Sequence, residues 1–126
     1  MKVLNILSQG YRATLEEQDD TVLWISQVLR KNEAEIDLLL RNSAVNYVVE
    51  GQRVAPLAIG GREQRNAPDV HTQLQGLVES GADVFVLDDD LRKYGLADKA
   101  RLNSVRVIGS AELPAVMAGY DQVWHW

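Results

Sequence analysis

Short apolar runs that end in polar residues constrain the fold of this chain more than any other feature. Four of them predict strands at residues 3–7, 36–40, 83–87 and 105–108, and a fifth strand is predicted at residues 120–126. Because the runs are continuous rather than alternating, they are typical of strands that are buried on both faces, as in parallel sheets.

Helical patterns separate these strands. We predict helices from Thr14 to about Lys31, from Ser43 to Val49, from Asp69 to Gly81, from Asp89 to Gly95 and from Ser110 to Ala118. The first helix has capping-box spacing at its start, and Ser43 and Asp69 are expected to cap the second and third. Residues 51–69 are predicted to form an irregular loop, with Gly60-Gly61 as a flexible segment rather than a phosphate cradle.

This alternation of strands and helices, without a hairpin signal, predicts a single α/β domain over residues 1–126. The expected architecture is an open, five-stranded, mostly parallel sheet with helices on both faces. The chain has 126 residues, which is enough to bury a hydrophobic core without metals or disulfides.

Composition argues against several classes of function. The net charge of −5 argues against a nucleic-acid partner, because binding to phosphate backbones needs a basic surface. The absence of cysteine excludes thiolate chemistry, and two histidines argue against a multi-histidine metal site, so we expect neither a metal nor a cofactor. No apolar run approaches the roughly 18 residues of a membrane span, and the first residues do not resemble a signal peptide, so we expect a cytoplasmic protein that does not bind membranes.

Three consecutive acids, Asp88, Asp89 and Asp90, follow the third predicted strand. Open α/β sheets place their sites at the carboxyl ends of strands, and helix amino ends also favour negative side chains. A phosphoacceptor pocket would need acids after the first strand, where Ser8 and Gln9 stand instead, and a lysine after a late strand. We interpret the three acids as the start of a helix, with a polar recognition role and a metal or phosphotransfer site as the alternatives.

Other candidate motifs are weaker. Arg53, Arg62 and Arg65 could form an anion-binding patch, although a solvated loop is the simpler interpretation. His71 is a general-base candidate only if a nucleophile or a bound water lies close to it. The sequence has neither a dinucleotide-binding G-x-G-x-x-G after a strand nor a G-x-S-x-G nucleophile elbow.

Trp124 and Trp126 lie on one face of the last predicted strand. Large aromatic side chains bury much area and are enriched at protein interfaces. Two interpretations stay open for this pair, namely packing in the core and burial against another subunit.

The segment VFVLDDDLRKYGL, together with the residues that follow it to the final tryptophan, resembles the C-terminal half of the DsrE/DsrF/DsrH-like sulfur-relay family, and is closest to the DsrH and TusB branch. The matching positions are Asp90-Leu91, Arg92, Gly95-Leu96 and Trp126. The segment IDLLLRNSAVNYVVEG resembles an earlier strand and helix of that branch more loosely. The resemblance covers most of the chain except residues 51–69.

The resemblance implies a flavodoxin-like fold, assembly into trimers or hexamers, and the handling of sulfane sulfur with other sulfur-relay proteins as partners. Sulfur-carrying members hold a persulfide on a cysteine near the end of the third strand, and Leu87 occupies that position here. Since leucine cannot carry sulfur, the prediction is a non-catalytic oligomeric structural or partner subunit.

The predicted contact surface uses Asp88 to Arg92, the C-terminal strand, and the loop at residues 51–69. The alternative is a small-anion binding protein or a cryptic enzyme at the carboxyl ends of the strands. That alternative would use Ser8, Gln9, Asp88 and the arginines.

Overall fold

The structure, a computed structural model, describes residues 1–11 and 20–126 of the chain. Its strands are β1 (Lys2–Leu7), β2 (Glu35–Leu40), β3 (Ala58–Ile59), β4 (Arg62–Glu63), β5 (Val84–Leu87), β6 (Arg106–Ile108) and β7 (Gln122–His125). Its α-helices are α1 (Thr21–Lys31), α2 (Val70–Glu79), α3 (Asp88–Lys93) and α4 (Leu113–Ala118). A first 3₁₀ helix covers Asn42–Val48, and a second covers Ser110–Glu112.

The main sheet of the described residues has five parallel strands in the order β6-β5-β2-β1-β7. Leu40 of the central strand β2 pairs with Leu7 of β1 on one side and with Val86 of β5 on the other. All three side chains are buried, as the continuous apolar runs predict. The predicted fold class is therefore confirmed.

Helices cover both faces of this sheet. The first face includes Leu7, Leu38 and Val86, and it packs against α1, α2 and the first 3₁₀ helix. The second face is smaller, and it packs against α4 and Tyr120. The buried members of the second face are Leu4, Ile6, Leu39, Phe85, Leu87 and Ile108. No helix within the described parts of the chain is long and apolar enough to cross a bilayer.

Side-chain caps set the starts of two helices. Helix α1 begins after Asp20, whose carboxylate accepts hydrogen bonds from the backbone N–H groups of Val22 at 2.9 Å and Leu23 at 3.1 Å. Asp69 caps α2 in the predicted way, by accepting from the Thr72 N–H at 3.0 Å. The capping box predicted from Thr14 lies outside the described residues.

The predicted role of Ser43 as a helix cap is wrong. The N-cap position of the first 3₁₀ helix is Arg41, and no side chain caps it. Ser43 lies inside that helix, and its hydroxyl accepts a hydrogen bond from the Gly10 N–H at 2.9 Å. The hydroxyl therefore ties the loop after β1 to the helix after β2.

The expectation of no hairpin is also wrong. Strands β3 and β4 are antiparallel and pair across Gly60-Gly61, with φ angles of 57° and 75°. Positive φ at both central residues is typical of the tight turns that join hairpin strands, and glycine adopts it without strain. The flanking strands have two residues each, which is too short for a periodic pattern to reveal them.

Candidate functional site at the carboxyl ends of the strands

The loop after β1 is fixed by contacts with the first 3₁₀ helix. Tyr47 donates its hydroxyl hydrogen to the Asp20 carboxylate at 2.5 Å and accepts from the Tyr11 N–H at 2.6 Å. Burial, and then the hydrogen bond to Asp20, raise the pKa of Tyr47 far above its usual value. A Cβ at Gly10 would lie 2.9 Å from the carbonyl oxygen of Ser43, so only glycine fits this close approach. The loop that carries Ser8 and Gln9 therefore has a fixed path.

Ser8 and Gln9 differ in what they contact. The Ser8 hydroxyl lies 2.6 Å from His125 Nε2, and its backbone N–H donates to the Trp126 carbonyl at 3.3 Å. The Gln9 side chain is exposed and makes no hydrogen bond to any other described residue. The structure thus pairs Ser8 with a histidine that the sequence offered no reason to place beside it.

The three aspartates lie in the first turn of α3, so the prediction that they begin a helix is confirmed. None of them caps it, since the N-cap residue is Leu87 and no side chain makes a cap hydrogen bond. Leu87 itself is 4% exposed and packs in the second face, so its side chain belongs to the core.

Each aspartate has its own partner instead. Asp88 and Asp89 contact Arg92 at 2.8 Å and 3.2 Å, and Asp90 accepts from the Asn42 N–H at 2.6 Å. Asp89 also accepts a short hydrogen bond from the Ser110 hydroxyl. This hydrogen bond, and to a smaller extent the contact with Arg92, lower the pKa of the Asp89 carboxyl group. Among the described residues, no three histidine, aspartate or glutamate side chains come together in a group that could hold a metal ion.

The C-terminal tryptophans are not core residues, so that interpretation is wrong. Trp126 is 45% exposed, and its indole N–H lies 3.4 Å from the Asn5 side-chain oxygen. Trp124 is half-buried, and its indole N–H donates to Gln122 at 3.0 Å. Both residues lie at β7, an edge strand whose only described neighbour is β1. An edge strand has too few neighbours to bury such large side chains.

The arginines of the long loop do not converge. Arg53 lines an open cavity of about 430 Å³ together with residues 52–56 and 67–69, whereas Arg62 and Arg65 are exposed elsewhere on the loop. His71 is partly buried, and its Nδ1 lies 3.4 Å from the Tyr47 carbonyl oxygen. The predicted anion patch of three arginines is therefore not assembled by the described loop.

Sequence reasoning missed Arg41. Its side chain makes no hydrogen bond or ion pair with any described residue, and its Nε is shielded from solvent without a partner. The available signal was its position directly after five consecutive apolar or buried residues of β2, since charged side chains beside buried segments usually have a partner.

The sheet order and the two helical layers define an α/β protein with a flavodoxin-like arrangement. The crystal structure of the YchN protein from E. coli has this fold and aligns over 100% of both chains, with a TM-score of 0.73 and 17% sequence identity. At this identity the likeness shows a shared fold alone. No family model and no curated protein matches the sequence.

Proposed function

We propose that this chain is a cytoplasmic, non-catalytic DsrE-like subunit that acts through assembly. It would associate with itself as a trimer or hexamer and contact sulfur-relay proteins without carrying sulfur. The chemistry supports this, because a persulfide needs a thiol and the chain has no cysteine. The position where sulfur-carrying members of the family have their cysteine is Leu87, which is buried.

The observation that carries the proposal is the exposed aromatic edge at β7. Val123 is 37% exposed on β7, which pairs only with β1 among the described strands, and Trp126 directly after it is 45% exposed. Large aromatics at a surface are typical of interface cores, where they bury much area at a small cost in side-chain entropy.

The two edge strands of the sheet, β6 and β7, differ in how well they are protected against pairing with strands of other chains. On β6, Arg106 forms an ion pair with Asp83 at 2.9 Å, and charges of this kind discourage pairing between edge strands. The sequence of β7, QVWH, contains neither lysine, arginine nor proline. We therefore assign the self-association surface to Val123 of β7 and to Trp126, which together we call the β7 edge.

The test measures the mass of the purified chain by light scattering at micromolar concentrations. The expected mass is three or six times the 14.1 kDa of one chain. Val123→Lys places a charge on the β7 edge and should dissociate the assembly. Val107→Lys is the matched control, because Val107 is 40% exposed on the opposite edge of the same sheet.

A wild-type chain that stays monomeric, or two lysine variants that behave alike, would refute assembly through this edge. A second measurement addresses the sulfur chemistry. After incubation with a persulfide donor, mass spectrometry should find no covalent addition to the chain, and a sulfur adduct would contradict the proposal.

A further inference from the structure

Ser8 and Arg41 are neighbours at the carboxyl ends of β1 and β2. The register pairs Leu7 with Leu40, so these two residues are the next pair along. Arg41 keeps an extended backbone, with φ −139° and ψ 171°, and its N–H donates to the Leu7 carbonyl at 3.0 Å. Because side chains alternate along extended chain, Arg41 lies on the second face, the face of Leu39.

His125 reaches the same place from β7. It pairs in register with Ile6, whose side chain also belongs to the second face. The distance of 2.6 Å between His125 Nε2 and the Ser8 hydroxyl agrees with this placement. A hydroxyl, an imidazole and a guanidinium therefore share one face at one end of the sheet.

The guanidinium of Arg41 forms no ion pair with the described residues, whereas Arg30, Arg92 and Arg106 do. Arg92 and Arg106 each contact a carboxylate, at 2.8 Å and 2.9 Å. The Arg41 side chain has no partner among the described residues, and its shielded Nε is an unsatisfied donor. A buried donor without an acceptor is costly, so this group has the capacity to bind an external acceptor.

The nearby acids do not supply that acceptor. Asp88 and Asp89 are held by Arg92, and Asp90 accepts from the Asn42 N–H. The carboxyl end of the sheet therefore presents a free cation beside a hydroxyl–imidazole pair, and no carboxylate of the described residues competes for that cation.

We propose that Ser8, Arg41 and His125 bind the oxyanion of a small molecule, a carboxylate or a phosphate. The planar guanidinium matches two oxygens of such a group. The Ser8 hydroxyl donates to a further oxygen when His125 Nε2 carries the proton and donates to the serine oxygen. Since Ser8 and His125 are accessible to solvent, the rest of the ligand extends away from the protein.

The test is an NMR titration of the full chain with inorganic phosphate and, separately, with acetate, at constant ionic strength. Saturable shifts are expected at Ser8, Arg41 and His125. Binding of either anion supports the site, and the tighter of the two identifies the preferred group. Arg41→Gln should weaken binding by at least about tenfold, because it removes a charged hydrogen-bonding partner. Ser8→Ala should weaken it by a smaller factor.

Arg92→Gln is the matched control, since Arg92 is already paired with Asp88 and Asp89. It should leave the affinity unchanged. Thermal melting of each variant checks that it is folded, and Arg41→Lys provides a second substitution that keeps the charge but loses the planar fork. Unsaturable shifts, shifts confined to residues 51–69, or equal affinities of wild type and Arg41→Gln would overturn the proposal.

Discussion

The two ends of the sheet treat their polar groups in opposite ways. At the amino end, Asp37 is only 4% exposed, and its carboxylate is surrounded by hydrogen-bonding and charged partners. It accepts from the Tyr120 hydroxyl and the Asp83 N–H, both at 2.8 Å, and lies 3.3 Å from Lys2 Nζ and 3.9 Å from Arg30. Every one of these contacts joins β2 to another segment of the chain, so the Asp37 carboxylate is fully satisfied.

At the carboxyl end, the Arg41 side chain has no partner within the described residues, and Ser8 pairs with a histidine that remains accessible. Open α/β sheets bind their ligands outside the carboxyl ends of the strands. The polar groups of the amino end therefore stabilise the fold, whereas the Arg41 side chain and the Ser8–His125 pair at the carboxyl end are left available for contact with other molecules.

The largest effect is expected from Asp37→Ala. It leaves the Tyr120 hydroxyl and the Asp83 N–H without their acceptor, and it removes the counter-charge of Arg30. We expect a loss of about 2–4 kcal/mol in the free energy of unfolding, measured by urea denaturation. Asp89→Ala is the control at the carboxyl end and should cost much less, because Asp89 is exposed. Equal losses would remove the distinction between the two ends.

Tyr47→Phe tests a satisfied buried hydrogen bond at the carboxyl end, the one from Tyr47 to Asp20. It removes the hydroxyl that donates to the buried Asp20 and should cost about 1–3 kcal/mol. The same change affects stability at high pH. Since burial raises the folded-state pKa of Tyr47 above the ordinary 10.0, its stabilising contribution is complete below pH 10 and is lost as the pH rises further.

Urea denaturation from pH 8 upward measures both effects. The variant should lose stability less steeply than wild type above pH 10, because it lacks the buried hydroxyl that ionises there. An unchanged slope would contradict the role assigned to Tyr47. Tyr120→Phe is the counterpart at the amino end, where burial and Asp37 raise the tyrosine pKa in the same direction.

Asp69→Ala tests a polar contact that involves neither Asp37 nor the Tyr47–Asp20 pair. It removes the cap of α2 and should cost about 1 kcal/mol, whereas Asp69→Asn should keep most of the cap at neutral pH. The Thr72 N–H holds the pKa of Asp69 below its ordinary 3.8. The charged cap therefore stabilises the fold above that value and is lost as the pH falls through the lower folded-state pKa.

Thermal melting at pH 7 and at pH 3 separates the two Asp69 variants. Wild type should lose more of its melting temperature between these values than Asp69→Asn does. Identical losses would mean that the carboxylate charge contributes nothing to the cap.

The smallest effect on stability is expected from Arg41→Gln. Because the Arg41 Nε is shielded and unsatisfied, its removal should leave the free energy of unfolding unchanged or raise it by up to about 1 kcal/mol. Urea denaturation checks this, with Arg30→Gln as the control that should destabilise through the loss of its contacts to Asp37 and Ser80. A clear loss in Arg41→Gln would make Arg41 a structural residue.

The inner strands β1, β2 and β5 could be predicted from sequence because each is a continuous apolar run that is buried on both faces. The hairpin at Gly60-Gly61 could not, since strands of two residues have no period. The pairing of Ser8 with His125 spans 117 residues and depends on β7 lying beside β1. No local pattern specifies which strands become neighbours. The exposure of Trp126 has the same origin, because it follows from the edge position of β7.

The pairing of β1 with β7 also has a consequence for biosynthesis. The Lys2 N–H donates to the Asp121 carboxylate at 2.7 Å, across 119 positions of the chain. At translation rates of about 5–20 residues per second, β1 leaves the ribosome on the order of ten seconds before β7, its partner on the outer side. During that interval the outer edge of β1 is unpaired. Chaperones can bind this edge, and strands of other nascent chains on the same messenger RNA can mispair with it.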